Sequence, residues 1–530
     1  MAASMKILVS DPLHEKGIEV LEETEGFEVE VNTSLTPEEL LGIIKNYDAL
    51  VIRSSTKVTA EVIEAAERLK VIGRAGIGLD NVDIGAASKQ GVVVMNTPDG
   101  NVITTAEHAV AMLMALSRNI PQATASMRAH QWEKKRFRGK ELFNKTLGVI
   151  GIGRIGRIVA DRARGMKMNI IGYDPYIPAE AIEKMGVEPV SLDELLARAD
   201  CITVHTPITP ETRNLINKDC FAKMKPGVLL VNCARGGIVN EKDLYSALQE
   251  GKLAGAALDV FEKEPPEDNP LLDLDNVIAT PHLGASTEEA QENVSLAVAN
   301  QIVDYLRTGT IRNAVNVPSV DGEVLVRLRP YLTLAERLGS LLSQITKGGI
   351  LEVAVEYIGE LASHDAVPLT VSLTKGVLAP ILGDEVNFVN APMLAKERDI
   401  KISVTKRSEA EDFTSLINVR MKTTEHENVV SGTTFGKQDP RIVRINDFRL
   451  EAPLEGHLLL IYNIDTPGTI GAIGTCLGQH RINIATMEVG QVIERGQNII
   501  LLRTDTPVPP EVQEELLGLG NVNFVQRLEL

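Results

Sequence analysis

Short runs of β-branched and aliphatic residues recur through the first hundred positions: KILVSD, EVEVN, DALVIR, KVIGR and VVVMN. Amphipathic stretches such as PEELLGIIKN and AEVIEAAERL separate them, with apolar residues at helical spacing. Strands alternating with helices predict a parallel sheet covered on both faces. This lobe is expected to end near residue 98, at MNTPDGN. A long helix is predicted from Val102 (VITTAEHAVAMLMALSRNI), stopping before Pro121. A second alternating run opens with TLGVIGIGRIGRIVADRARGMKMNIIGYD and continues through CITVHTP, GVLLVNCARGG, AGAALDVF and NVIATPH. The stretch STEEAQENVSLAVANQIVDYLRTG then reads as a capped amphipathic helix. It is expected to carry the chain back to the first lobe, leaving a cleft between two lobes.

The pattern changes after NAVNVPSVDGE. Residues 318–452 offer no glycine-rich cradle and no acid–base cluster. The last 75 or so residues alternate as β-α-β-β-α-β, the order of the ferredoxin-like split unit. The expected division is a discontinuous first domain (1–98 and 288–317), a nucleotide-binding domain (99–287), an intervening domain (318–452) and a small terminal domain (453–530).

Composition narrows the class. A chain of 530 residues is too long for one ordinary core. Hydrophobic residues make up 44%, and the formal net charge of −18 argues against nucleic acid or an anionic membrane as the main partner. The four cysteines, Cys201, Cys220, Cys233 and Cys476, have no C-x-x-C or metal-finger spacing, so no metal site is expected. The opening MAASMKILVSD runs straight into a strand with no secretory pattern, and no apolar run has the length of a membrane span. A cytoplasmic place is expected.

The chemistry begins in the second run. Gly151, Gly153 and Gly156 form G-x-G-x-x-G between a predicted strand and a predicted helix. Gly151 allows a tight turn, Gly153 lets backbone approach a pyrophosphate, and Gly156 permits close helix–strand packing. Asp174 ends the next strand, where it would accept hydrogen bonds from an adenosine ribose. Its charge would repel a 2′-phosphate, favouring NAD over NADP. Three later strand ends finish in Arg235, Glu264 and His282. In an open α/β sheet such ends converge on the ligand. Oxidation of a secondary alcohol needs a base for the hydroxyl proton, a carboxylate to hold that base, and a guanidinium to grip a substrate carboxylate. Each residue alone has an ordinary structural explanation, and Glu262 competes with Glu264 for the carboxylate role. Together, behind a nucleotide cradle, they define a candidate site.

The segments GIGRIGRIVADRARGMKMNIIGYDP, HTPITPETRNLIN, MKPGVLLVNCARGGIVNEKDL, GAALDVFEKEPP and TPHLGAST resemble the D-isomer-specific 2-hydroxyacid dehydrogenase family. The resemblance implies that Arg235 binds substrate and that Glu264 supports His282 as the acid–base catalyst. It implies further cofactor contacts at Arg154, Ile155, Thr206, Pro207, Cys233, Ala234, Asp259, Gly284 and Ala285. In the first lobe, VIRSSTKVT, IGRAGIGLDNVD and VMNTPDGN are similar to members that act on a phosphorylated three-carbon acid. That implies a cleft face of Arg53, Ser54, Arg74, Gly76 and Asn101, with the two arginines meeting the phosphate. Ile77 departs from the small hydroxylic residue of many relatives. The basic stretch WEKKRFRGKEL is implied to be a contact between subunits of a homodimer or homotetramer.

The long carboxyl-terminal part resembles family members with an intervening α/β domain and a terminal ACT-type domain, on YNIDTPGTIGAIGTCLGQHRINIATMEVG. The implied fold is α/β throughout: a Rossmann-type domain inserted in a flavodoxin-like substrate domain, then the intervening and ferredoxin-like ACT domains. An amino-acid effector, L-serine, is expected at Asn463, Asp465 and Asn483, taken to cluster at one strand-to-helix edge. The implied reaction is NAD-dependent oxidation of 3-phospho-D-glycerate to 3-phosphohydroxypyruvate, the first step of serine synthesis. The alternatives are another D-2-hydroxy acid as substrate, or an NAD-sensing binding protein without turnover.

Overall fold

The computed structural model describes residues 4–317, 322–410, 412–436, 438–492 and 496–530. The five apolar runs of the first lobe form β1 (Met5–Val9), β2 (Phe27–Val31), β3 (Ala49–Ile52), β4 (Val71–Arg74) and β5 (Val93–Asn96). They pair in parallel in the order β2-β1-β3-β4-β5. This is the flavodoxin-like order, in which ligands lie beyond the carboxyl ends of the strands. All four residues of β3 are buried, as a strand covered on both faces requires.

The second sheet contains β6 (Thr146–Ile150), β7 (Asn169–Tyr173), β8 (Glu188–Pro189), β9 (Cys201–Val204), β10 (Val228–Asn232), β11 (Leu253–Leu258) and β12 (Val277–Ala279). Its order is β12-β11-β10-β9-β6-β7-β8, again parallel. The order reverses between β6 and β9, which is the switch point of a doubly wound dinucleotide fold. The glycine motif follows β6 directly.

Two helices join the lobes. The helix Glu288–Thr308 is capped by Thr287, which accepts from the Ala290 amide. Its Val294, Val298, Ala299, Ile302 and Leu306 enter the core of the first sheet with Ile7, Val51 and Val71. A Cβ on Gly17 would lie 2.8 Å from the Ser295 backbone, so glycine at that position permits the close crossing of this helix. The other connecting helix, Val102–Ser117, buries Ala106, Ala109, Leu113 and Leu116 against the second sheet. It ends earlier than expected. Asn119 takes a left-handed conformation at φ 51°, and a new helix, Ile120–Arg128, begins with Pro121 in its first turn. A proline there loses no helical hydrogen bond, so it starts a helix here and does not stop one.

Beyond the lobes, β13 (Ile350–Gly359), β14 (Lys401–Arg407), β15 (Ser415–Thr423), β16 (Glu427–Phe435), β17 (Asp439–Ile445) and β18 (Phe448–Pro453) form a mixed sheet in the order β14-β13-β15-β16-β17-β18. The helices Gly322–Ile345 and Val367–Leu382 pack on it, through Leu334, Leu338, Leu341, Leu369 and Leu373 among others. The final unit has β19 (His457–Ile464), β20 (Ile484–Val492), β21 (Gln497–Thr504) and β22 (Val522–Glu529) in antiparallel order β20-β21-β19-β22. Its helices Thr469–Gln479 and Pro510–Leu517 cover one face. Leu458, Leu460, Ile499, Leu501 and Leu528 on the other face share one core with the preceding domain.

Candidate active site

A cavity of about 920 Å3 opens between the two lobes. On the cradle side Gly151 has φ +91°, the left-handed backbone that the tight turn after β6 requires. A Cβ on Gly156 would collide with the Gly151 carbonyl oxygen, so helix and strand touch here. A Cβ on Gly153 would meet nothing within 4 Å, leaving backbone open to a ligand. Asp174, just past β7, accepts from the Ile152 amide at 2.9 Å and from the Tyr176 amide at 2.9 Å. The carboxylate is thereby held against the cradle. Arg154 and Ile155, from the first turn of the following helix, line the cavity, as do Thr206, Pro207, Cys233, Ala234, Asp259, Gly284 and Ala285. Buried Thr206 Oγ1, His205 Nδ1 and Asn101 Oδ1 have no partner in the protein. Unpaired polar atoms are costly in a closed core and ordinary in a site built for a polar ligand. The open cradle, the acid beside it and these unpaired atoms fit a dinucleotide.

The acid–base pair lies at the ends of β11 and β12. His282 Nδ1 is 2.7 Å from Glu264 Oε2, and Glu264 Oε1 accepts from the Phe261 amide at 3.1 Å. Burial pushes the Glu264 carboxyl up, but the His282 and Phe261 hydrogen bonds outweigh it and hold the group below its ordinary value. Glu262 faces elsewhere: its carboxylate accepts from the Glu241 amide, and its own amide donates to the Glu241 carboxylate. The structure therefore pairs the histidine with Glu264.

Asp259 fixes this corner. It is fully buried and accepts from the Leu283 amide at 2.7 Å, the Gly284 amide at 2.8 Å and the Thr280 hydroxyl at 2.5 Å, with His108 Nε2 at 3.2 Å. These bonds hold the turn in which His282 takes a left-handed conformation at φ 53°. His108, Cys233 and Asp259 also bring ligand-type atoms within 4.8 Å of one another. The aspartate oxygens are already taken up by those donors, and burial pushes the Cys233 thiol far above its usual range, so the group reads as packing.

Cations line the opposite wall. Arg53, Ser54, Arg74, Gly76 and Asn101 all border the cavity, facing Arg235 across it. Burial lowers the Arg74 guanidinium to about 10, with repulsion from Arg235 and Arg53 adding to the effect and Asp80 and Asp11 opposing it. Arg154 is paired with Asp99 at 2.8 Å.

Sequence reasoning missed Asp80, Gly78, His205, His108 and Thr280. Gly78 and Asp80 lie inside IGRAGIGLDNVD, His205 opens HTPITPETRNLIN and Thr280 opens TPHLGAST, so each had a local signal in its place, whereas His108 had none.

The terminal domain corrects one expectation. Ile464 lies opposite Gln497, whereas Ile484 lies opposite Thr504 at the other end of β21. Asp465 accordingly accepts from Asn498 at one end of the sheet, and Asn483 donates to Asp505 at the other. The helix between them carries the chain back along the full strand, so one chain does not bring Asp465 and Asn483 together. Asn463 is buried beside Asp465, with Oδ1 unpaired.

A dinucleotide cradle facing a His–Glu pair and a guanidinium across a two-lobed cleft is the site of a nicotinamide-dependent hydroxyacid dehydrogenase. Residues 110–284 match the family model of the D-isomer specific 2-hydroxyacid dehydrogenase NAD binding domain. Residues 327–446 match the D-3-phosphoglycerate dehydrogenase intervening domain, and residues 457–521 the ACT domain. D-3-phosphoglycerate dehydrogenase of Methanocaldococcus jannaschii is 49% identical over 527 residues, covering 99% of this chain and 100% of its own. The enzyme of that name from Bacillus subtilis is 41% identical over 526 residues, covering 99% of each chain. Among solved structures, D-lactate dehydrogenase from Escherichia coli is 30% identical with a TM-score of 0.53, covering 59% of this chain and 100% of its own. The chain belongs to the D-3-phosphoglycerate dehydrogenases, within the D-isomer-specific 2-hydroxyacid dehydrogenase family.

The Asp259 lock is open to test. Burial raises its carboxyl, yet the His108, Thr280 and Leu283 bonds prevail and leave it below its ordinary value. Its contribution to stability is therefore complete above the usual aspartate range, about pH 4, and disappears as the pH falls through the lowered value. Asp259→Asn has one oxygen where the Leu283 and Gly284 amides use two, and should cost about 1–3 kcal/mol at neutral pH. Denaturant titration should show that gap shrinking in acid. An unchanged midpoint at pH 7 would contradict the lock.

Proposed function

We propose that this protein oxidises 3-phospho-D-glycerate to 3-phosphohydroxypyruvate with NAD, the step that opens serine synthesis, with His282 as the base. The observation that carries the reading is the His282–Glu264 pair at 2.7 Å, in a cleft with the dinucleotide cradle and with Arg53, Arg74 and Arg235. NAD, held by Gly151, Gly153, Gly156 and Asp174, supplies the acceptor for the hydrogen that leaves C2 with its electron pair. Asp174 favours NAD over NADP because it would repel a 2′-phosphate.

His282 takes the hydroxyl proton at Nε2, the nitrogen that Glu264 leaves free. Glu264 accepts from Nδ1–H, orients the ring and favours the imidazolium as the proton arrives. Arg235 grips the substrate carboxylate in a two-point fork and sets the face that C2 presents. Arg53 and Arg74 meet the phosphate, with Ser54, Gly76 and Asn101 completing the wall. Thr206, Pro207, Cys233, Ala234, Asp259, Gly284 and Ala285 shape the nicotinamide side, where Asp259 acts through the turn that it holds.

The chain reads as four units: 1–98 with 288–317 for substrate, 99–287 for NAD, 318–452 intervening, and 453–530 regulatory. The four cysteines are free and buried, in keeping with a reducing cytoplasm. Among the described residues no helix is long and apolar enough to cross a membrane. The working form is a homodimer or homotetramer, with exposed Trp132 and Phe143 flanking the basic loop that meets the neighbouring copy.

His282→Ala should lower turnover by roughly two to four powers of ten, the scale of a positioned acid–base group. NADH affinity should hold, since the cradle is untouched. Glu264→Gln removes the charge that favours the protonated ring, so the acid limb of kcat/KM against pH should move to lower pH. Near-wild-type turnover in His282→Ala would refute the assignment. Steady-state assay of D-2-hydroxy acids without phosphate separates this substrate from its relatives, and absence of any turnover by the wild type would favour an NAD-sensing binding protein.

L-Serine is the effector of the terminal domain, bound at the turn after β19 where Asp465 precedes Pro467-Gly468. Coupling of about 1–3 kcal/mol would change catalysis roughly 5- to 150-fold. Calorimetry should register serine binding to the full chain, with rates falling in parallel. No heat and no inhibition would end the regulatory reading and leave the catalytic one standing.

A further inference from the structure

Asp80 lies on the loop after β4, outside the set of residues that the motifs single out. It reaches across the cleft, and its Oδ2 accepts from Arg235 Nε at 2.9 Å. Arg235 Nη1 donates to the Ala234 carbonyl at 2.7 Å. These two bonds fix the plane of the guanidinium and leave a hydrogen on each of Nη1 and Nη2, the pair that forms a carboxylate fork. The same loop closes in from a further side. A Cβ on Gly78 would collide with Arg235 Nη2, so the backbone there lies directly against the guanidinium.

The charges around Asp80 are uneven. Arg53, Arg74 and Arg235 border one cavity, and the Nε of half-buried Arg74 is enclosed without a partner. The Arg53 side chain donates to the Pro12 carbonyl, a neutral group. Of the three, Arg235 has a carboxylate of the opposite lobe bonded to it. A substrate with a carboxylate at one end and a phosphate dianion at the other can enter such a site in two orientations. Only one places C2 beside His282.

We propose that Asp80 is the positioning residue for Arg235, and that its charge reserves this guanidinium for the substrate carboxylate while the phosphate goes to Arg53 and Arg74. Asp80 does not touch the reacting atoms. Its Nε bond leaves the fork free, and its charge repels a dianion more strongly than a monoanion. The inference rests on the reading of Arg235 as the carboxylate fork.

The test uses the full-length protein with 3-phospho-D-glycerate and inorganic phosphate as probes. Asp80→Ala should raise KM about 10- to 100-fold, the loss expected for a hydrogen bond to a charged group, with a much smaller change in kcat. Asp80→Asn keeps an acceptor for Nε–H and should hold KM within about threefold of wild type. It removes the charge, so inorganic phosphate should inhibit it several-fold more strongly. A Cβ on Gly78 would press the Arg235 guanidinium and lie 3.1 Å from Asp80 Oδ2, so Gly78→Ala should disturb their bond and reproduce the KM rise with the Asp80 charge retained. NADH affinity and melting temperature should hold in all three. Unchanged KM in Asp80→Ala, or equal losses in Asp80→Ala and Asp80→Asn together with a lower melting temperature, would overturn the positioning role. Unchanged phosphate inhibition in Asp80→Asn would overturn the charge role. A wild type that fails to turn over the substrate at all would instead strike the proposed function.

Discussion

A single buried carboxylate organises the chemistry of this chain. Asp259 directly follows β11 with no exposed surface and gathers the Leu283 and Gly284 amides, the Thr280 hydroxyl and His108 around it. Leaving such donors unpaired in a core would cost about 1–3 kcal/mol each. The turn after β12 therefore has little freedom to adopt another shape. Its shape is the unusual one that sets His282 at positive φ, facing Glu264. A strained backbone persists where the surroundings over-determine it, and here they do. The pairing of β11 with β12 brings the aspartate and the turn together, so sheet register, turn geometry and the acid–base pair form one connected constraint.

The second constraint is the crossing between lobes. The helix Glu288–Thr308 leaves the catalytic turn and enters the core of the first sheet, whose strand ends bear Arg53 and Arg74. His282 and the arginine-lined wall are thus linked by one rigid helix of 21 residues on one side of the cleft. Ion pairs span the other side, Asp80 with Arg235 and Asp99 with Arg154. Both pairs are partly exposed, so they contribute orientation more than stability. The terminal domain shares a hydrophobic core with the intervening domain. The ACT unit is therefore continuous with a larger packed body.

Much of this was legible in the sequence because the signals are local. The glycine cradle, its acid and the Arg235, Glu264 and His282 strand ends each sit inside a short motif whose spacing states its geometry. The strand runs of both parallel sheets were readable because such strands are apolar on both faces. Residues defined by distant partners were not legible. Asp80 is 155 positions from Arg235, and His108 and Thr280 take their roles only when their strand and helix meet around Asp259. Pro121 misled because a proline can stop one helix or start the next, and the left-handed Asn119 decides which. Asn483 misled because a motif read along the chain hides the return path of a helix, which carries it the length of the sheet away from Asp465.

The central claim is that this cleft moves a hydrogen from C2 of 3-phospho-D-glycerate to the nicotinamide while His282 removes the hydroxyl proton. Single-turnover reaction with substrate deuterated at C2 tests it most directly, with the reduced cofactor recovered and its isotope content measured. The account predicts deuterium in the NADH and a slower burst than with protiated substrate. NADH that forms without deuterium, or a mixture unchanged after prolonged incubation, would contradict it.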